Sequence, residues 1–274
     1  MPRAINGAVE LEFDTLGDPR NPAILMVNGL GAQMTRWPGL SESLARRGYH
    51  VVRVDNRDVG LSTWPEQPYA LSDMARDAVA VLDAAKVARA HVAGVSLGGM
   101  IAQRMAIDHP DRVLSMTSIM ASTGADLGPL TAPEVIQAQS QPSPDPRTDW
   151  EGFLVETMRR ARLIGSRVCG FTDEQLRQRE RSAFERAYNP AGLARQRQAA
   201  ASDGDRTKAL GRLKIPVVVL HGEDDPLVSV RAGRATAEAI PGAELRVVPG
   251  MGHDVPPGLY DVFVDAIVSA VRRA

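Results

Sequence analysis

Six mainly apolar runs of strand length constrain this chain more than any other feature. They lie at residues 23–27, 50–54, 91–95, 113–120, 217–220 and 245–248. A strand buried on both faces loses the polar alternation of a half-exposed one, so runs of this kind predict a parallel sheet covered by helices. Helix-period patterns follow them at 40–47, 73–85, 97–109, 231–240 and 259–273. Pro110 stops the third, because its ring cannot continue a helix. Strand and helix alternating this often predict an α/β class with a mostly parallel, doubly wound sheet. At 274 residues the chain suits one large domain or one domain with an insertion.

The insertion is legible as a break in rhythm. From 122 to 213 no strand-like run occurs. A proline-rich stretch, 141–146, predicts extended loop, and helical patterns follow it. Leu154, Met158 and Ala161 are spaced four and three apart, Leu176, Ala183, Phe184 and Ala187 share a helical face, and Asn189-Pro190 breaks the chain before 193–201. The expected division is a core of 1–121 and 214–274 with a helical cap of 122–213. Eleven arginines and eight acids lie between Glu151 and Thr207. A solvated helical face is one reading of them, and a funnel for an anionic substrate is the other.

Composition excludes several function classes. Charged residues nearly cancel, 32 basic against 33 acidic for a net −1, so no basic field draws nucleic acid or an anionic membrane. Cys169 alone makes neither an internal disulfide nor a thiolate metal site. The start of the chain alternates like a strand and lacks a signal-peptide core, and no apolar window reaches membrane-spanning length. The expectation is a cytoplasmic protein, monomer or homodimer, with a small-molecule partner. No dinucleotide or phosphate-loop pattern and no metal-spaced cluster occurs, so no cofactor and no metal are expected.

Gly94-Val95-Ser96-Leu97-Gly98 stands between an apolar strand and a helix, the setting in which a serine is lifted on a tight turn. Such a turn crowds the residues two before and two after, which here are glycines. The N–H of Leu97 then points at a helix start, where positive potential favours an oxyanion. The alternative is a glycine-rich turn with Ser96 as a helix cap. A serine nucleophile needs a base in contact. His50 and His91 begin strands, at the wrong end of a parallel sheet; His109 ends a helix, and His221 suits strand-end packing. His253, in the loop Pro249-Gly250-Met251-Gly252-His253-Asp254, is the candidate base. Its acidic partner is Asp225 in the loop after the 217–220 strand, with Asp224 as the rival register and Asp126 as a more distant candidate. Asn28-Gly29-Leu30-Gly31, after the first parallel strand, supplies a second oxyanion donor, the N–H of Leu30. The polar turn 55–62 is expected to satisfy loop backbone instead of touching substrate.

Taken in order, Asn28-Gly29-Leu30-Gly31 with Gln33 and Trp37, the 56–62 turn, Gly94 to Gly99, Asp225-Pro226-Leu227-Val228 and Gly250-Met251-Gly252-His253 resemble the α/β-hydrolase superfamily. Within it the chain is similar to bacterial esterase-like members related to aclacinomycin methylesterase. The resemblance runs from about Gly7 to the end. It implies an α/β-hydrolase fold with a cap, a triad of Ser96, Asp225 and His253, and an oxyanion hole of Leu30 and Leu97. Two departures stand out: Asn28-Gly29 where many relatives carry His-Gly, and Arg57-Asp58 where they carry Arg-Gly.

These readings converge on a serine carboxylic-ester hydrolase for small to medium apolar esters, its pocket lined by Gly29, Met34, Trp37, Met100 and Met158. The same triad also serves lactone hydrolysis, carbon–carbon cleavage of diketones and cofactor-free perhydrolysis. Outside enzymes, the alternative is a hydrolase-fold receptor for a small ligand.

Overall fold

The computed structural model describes residues 2–274. The chain opens with a hairpin of β1 (Arg3–Asn6) and β2 (Val9–Leu16), turning on Gly7 at φ 60°. Then come β3 (Ala23–Val27), α1 (Pro38–Arg46), β4 (His50–Val54), α2 (Leu71–Ala84), β5 (Ala90–Val95), α3 (Leu97–Asp108) and β6 (Val113–Ile119). Five helices follow without a strand: α4 (Pro133–Ser140), α5 (Trp150–Ile164), α6 (Asp173–Arg186), α7 (Pro190–Ser202) and α8 (Thr207–Leu210). The chain closes with β7 (Val217–Gly222), α9 (Val230–Ala239), β8 (Glu244–Val248) and α10 (Tyr260–Arg272).

The strands form one sheet in the order β1-β2-β4-β3-β5-β6-β7-β8. β2 pairs antiparallel with both β1 and β4, and the pairings among β3 to β8 are all parallel. Val27 lies opposite Gly94, Val95 opposite Ile119, and Gly222 opposite Val248, so the carboxyl ends of five strands share one edge. From β3 the chain moves outward to β4 and then returns across β3 to β5. That reversal opens a crevice at the ends of β3 and β5, where α/β sheets bind ligands.

The central strands β3, β5 and β7 are buried along their whole length, as their apolar runs predict. One core face is closed by α2 and α3, the other by α1 and α10. The run ending at Val248 differs: β8 is half-buried throughout, because it is the sheet's last strand with no neighbour beyond it. The alternating N-terminal stretch is two strands instead of one.

The helices between β6 and β7 carry a small core of their own, Leu154, Met158 and Leu176. Beside it Trp150, Phe153, Phe184 and Tyr188 stack with ring centroids 5.2 to 6.0 Å apart. A single buried guanidinium ties together the two points where this helical segment leaves and rejoins the sheet. Arg206 donates to Ser122 O at 2.8 Å, to Gln103 Oε1 at 3.1 Å and to Asp203 Oδ2 at 2.6 Å, and its own N–H donates to Thr123 O at 2.8 Å. Removing one partner of a buried ion pair strands the other, at a cost of about 3–5 kcal/mol. Arg206→Ala is therefore expected to lower unfolding free energy by about that amount. Urea denaturation followed by far-UV circular dichroism measures it.

Candidate active site

Ser96 occupies the turn between β5 and α3 with φ 55° and ψ −118°, a region costing a non-glycine residue about 1–3 kcal/mol. The neighbouring glycines permit it. A Cβ on Gly94 would lie 2.1 Å from Gly98 O, and one on Gly98 would lie 2.1 Å from Val27 O. The helix start is thus packed directly against the backbone of both central strands. The Ser96 N–H donates to Ile119 O at 2.8 Å, which fixes the turn to β6 as well.

His253 reaches this turn from the loop after β8. Its Nε2 is 3.0 Å from Ser96 Oγ and its Nδ1 is 2.6 Å from Asp225 Oδ2. The other oxygen of Asp225 accepts the N–H groups of Leu227 and Val228 at 2.9 and 2.8 Å. Burial alone would raise the Asp225 carboxyl, but His253, His221 and these donors hold it down at about 2. Between the two acids of that turn the geometry is decisive: Asp224 is exposed and only its backbone is engaged, with Met251 O. Asp126 is exposed and caps a local turn at Gly128. Of the remaining histidines, His91 bonds Ser115 Oγ at 2.8 Å inside the core, and His50 and His109 lie at element ends away from the crevice.

His221 does more than pack a strand end. It is fully buried, with Nε2 2.7 Å from Val228 O and 3.5 Å from Asp225 Oδ2, so it braces the loop that carries the acid. Only the fold of 222–228 back over β7 brings it there, a turn that strand periodicity does not encode.

The loop after β3 packs against the serine at Gly29, where a Cβ would lie 3.4 Å from Ser96 Cβ. Gly31 N–H donates to Gln196 Oε1 at 2.9 Å and Ala32 N–H to Gly29 O at 3.1 Å. Among the described residues the N–H groups of Leu30 and Leu97 have no acceptor. Asn28 is a brace: its carbonyl accepts from Asn56 Nδ2 at 3.0 Å and its side chain reaches Val54 O at 3.4 Å. The 55–62 turn turns out to anchor the helical segment. Asp55 takes Arg186 at 2.6 Å and the Met34 N–H at 2.7 Å, while Asp58 takes Arg195 at 2.5 Å and Tyr69 Oη at 2.8 Å. Asp58 sits at φ 72°, where glycine is favoured, and its buried carboxylate gives the reason for the departure.

Two cavities meet at Ser96. The larger, about 670 Å³, is lined by Gly29, Leu30, Trp37, Ser96 and His253 and roofed by residues of α5 to α7. The smaller, about 380 Å³, is lined by Leu30, Ser96, Leu97, Met100 and Ala200. Met34 and Met158 line neither, which corrects the expectation for both. Met158 belongs to the helical segment's own core, and Met34 is buried where its backbone bonds Asp55. The larger wall is also less apolar than expected, since six arginines contribute to it.

A serine held on a strained strand–helix turn, with a histidine and an acid from later strand-end loops, is what the alpha/beta hydrolase fold builds. Residues 22–256 match that family, and the chain belongs to it. It is 29% identical to the rhodomycin D methylesterase DauP of Streptomyces sp. (strain C5), over 97% of this chain and 96% of that protein. With 3-oxoadipate enol-lactonase 2 of Acinetobacter baylyi it shares 28% identity, over 95% of this chain and 93% of that one. Among solved structures, a hydrolase from Pseudomonas aeruginosa PA01 superposes with a TM-score of 0.74 at 26% identity, covering 98% and 96% of the two chains.

The Asp225 carboxyl allows a stability test. A group held lower in the fold than its ordinary 3.8 stabilises the fold above that pH and loses the contribution as pH falls through about 2. Asp225→Asn should therefore be destabilised by about 2 kcal/mol at neutral pH. The gap to the wild type should close towards pH 2, as read by denaturant unfolding at fixed pH values.

Proposed function

We propose that this protein is a serine carboxylic-ester hydrolase acting on small to medium esters with a largely apolar body, through an acyl-enzyme on Ser96. The observation that carries the reading is the continuous contact from Ser96 Oγ to His253 to Asp225, at 3.0 and 2.6 Å, opening on a cavity of about 670 Å³. Ser96 Oγ attacks the ester carbonyl carbon and its proton passes to His253 Nε2. The N–H groups of Leu30 and Leu97 receive the oxyanion, a role in which a single donor contributes about 10²–10³ in rate. As the tetrahedral intermediate collapses, the imidazolium gives its proton to the departing alkoxide. Water then attacks the acyl carbon with His253 as base, and Ser96 regains its proton. Asp225 holds the ring with Nδ1–H towards itself and stabilises the imidazolium. Asp225 is placed for this by its two backbone donors and by His221 behind it.

Lactone hydrolysis is the second reading, favoured by the likeness to an enol-lactonase across nearly the whole chain. A lactone is a cyclic ester, so the same steps apply with the alkoxide remaining attached to the acyl group.

Turnover of p-nitrophenyl esters from acetate to dodecanoate tests the proposal, with γ-lactones assayed beside them. The expected result is a single optimum of chain length and a loss of about 10⁶ in kcat for Ser96→Ala or His253→Ala, with about 10⁴ for Asp225→Ala. A Ser96→Ala variant retaining more than about a hundredth of wild-type turnover would sink the mechanism.

A further inference from the structure

We propose that the larger cavity takes a substrate bearing, besides the bond cleaved at Ser96, a second and ionised carboxylate, held by Arg36 and Arg197; this rests on the ester-hydrolase reading of the same site. The chain as a whole carries a net −1, yet Arg36, Arg160, Arg162, Arg167, Arg179 and Arg197 line this cavity against only two acids, Glu180 and Asp254. Two of the six are satisfied by acids outside the lining: Arg160 pairs with Glu156 at 2.6 Å, and Arg162 pairs with Asp173. Asp254 is engaged by the N–H and hydroxyl of Ser166.

Of these two acids Glu180 is the one in salt-bridge contact with the remaining guanidiniums, while Asp254 acts on Arg179 through space. Arg179 holds its Oε1 at 2.8 Å, and Arg36 approaches the same oxygen at 3.3 Å. One carboxylate between two cations is an under-compensated arrangement. Burial, together with the nearby Arg36 charge, holds the Arg179 guanidinium at about 10, below its ordinary range. The 3.3 Å approach to Glu180 is the one ion pair of the Arg36 guanidinium among the described residues, and Arg197 has no carboxylate within salt-bridge distance among them. Arg197, and Arg36 beyond that one contact, therefore retain planar donors of the geometry that matches a carboxylate.

Their positions suit a substrate bound at the serine. Arg36 lies on the same loop as Leu30, one residue before Trp37 of the cavity wall. Arg197, on α7, lines both cavities, and Ser96 is common to the two. An ester with an apolar body and a distal carboxylate would lay the body against Trp37, Val95 and Met120 and bring the anion to the guanidiniums. Of the two readings of the arginine-rich helical segment, the cavity wall thus favours the anionic-substrate funnel.

Binding and turnover test this separately. With Ser96→Ala, calorimetric titration compares monomethyl adipate with dimethyl adipate at low salt and at about 0.5 M salt. The monoester should bind about tenfold or more tightly, and the difference should shrink with salt. Adding Arg197→Gln or Arg36→Gln should reduce the monoester's advantage several-fold; Arg197 is exposed, so its replacement leaves the fold intact. In the active enzyme, the p-nitrophenyl half-ester of glutaric acid should exceed p-nitrophenyl pentanoate in kcat/KM, through a lower KM. Equal affinity for the two adipates, or no binding of either, overturns the proposal. Turnover of neutral esters without an anionic preference overturns it while leaving the ester-hydrolase reading intact. Failure of both p-nitrophenyl esters to turn over, with the monoester still bound preferentially, counts instead against the hydrolase reading.

Discussion

Everything in the crevice depends on how closely α3 approaches the two central strands. A helix can begin directly beneath the carbonyls of Val27 and Gly94 only where no Cβ intervenes, and Gly94 and Gly98 meet that requirement. The strain at Ser96 is held by the burial of α3, whose Ile101, Ala102 and Met105 are wholly inside the core. Burial of Ile101 and Met105 contributes about 1.5–3 kcal/mol each, more in sum than the strain of one φ/ψ pair. The sheet therefore fixes the serine, and the serine's geometry fixes where a histidine and an acid must arrive.

The helical segment is bolted to the core by buried polar contacts instead of a continuous apolar interface. Asp55 with Arg186, Asp58 with Arg195, and Gln196 with Gly31 and Arg57 all join α6 or α7 to loops beside the serine. Ion pairs and hydrogen bonds are directional, so they set register more than they add stability. Here the register matters, because Gln196 holds the loop carrying Leu30 and Ile164 O accepts the His253 N–H at 2.6 Å. Loops on both sides of Ser96 are thus positioned by the segment that roofs them.

The electrostatics follow from the same arrangement. Acids of the core's upper loops are consumed in docking, and Glu151, Glu156 and Asp173 pair within or between α5 and α6, so apart from Glu180 and Asp254 the wall facing the serine keeps guanidinium without carboxylate. A near-neutral chain can hold a basic cavity because charges are sorted by position, and a low-dielectric cleft sharpens the local field.

The α/β architecture was legible in the sequence because buried parallel strands and their crossover helices each leave a periodic trace. The serine turn was legible for a related reason: local crowding demands glycine at fixed offsets from Ser96. His253 could be selected among five histidines because strand order assigns each to one end of the sheet. What stayed hidden depends on contacts between residues far apart in the chain. Asp225 was preferred to Asp224 on the sequence, but which of the two side chains faces His253 is visible only in the folded turn. The brace at His221, the docking role of Asp55 and Asp58, and the absence of Met34 and Met158 from the cavity required the packed structure. Sequence by itself determined the periodic and the sterically forced features, since neighbouring residues decide those. The tertiary structure alone decided which charges meet and which side chains face the cavity, because a helix's orientation on the sheet is set by partners more than a hundred residues away.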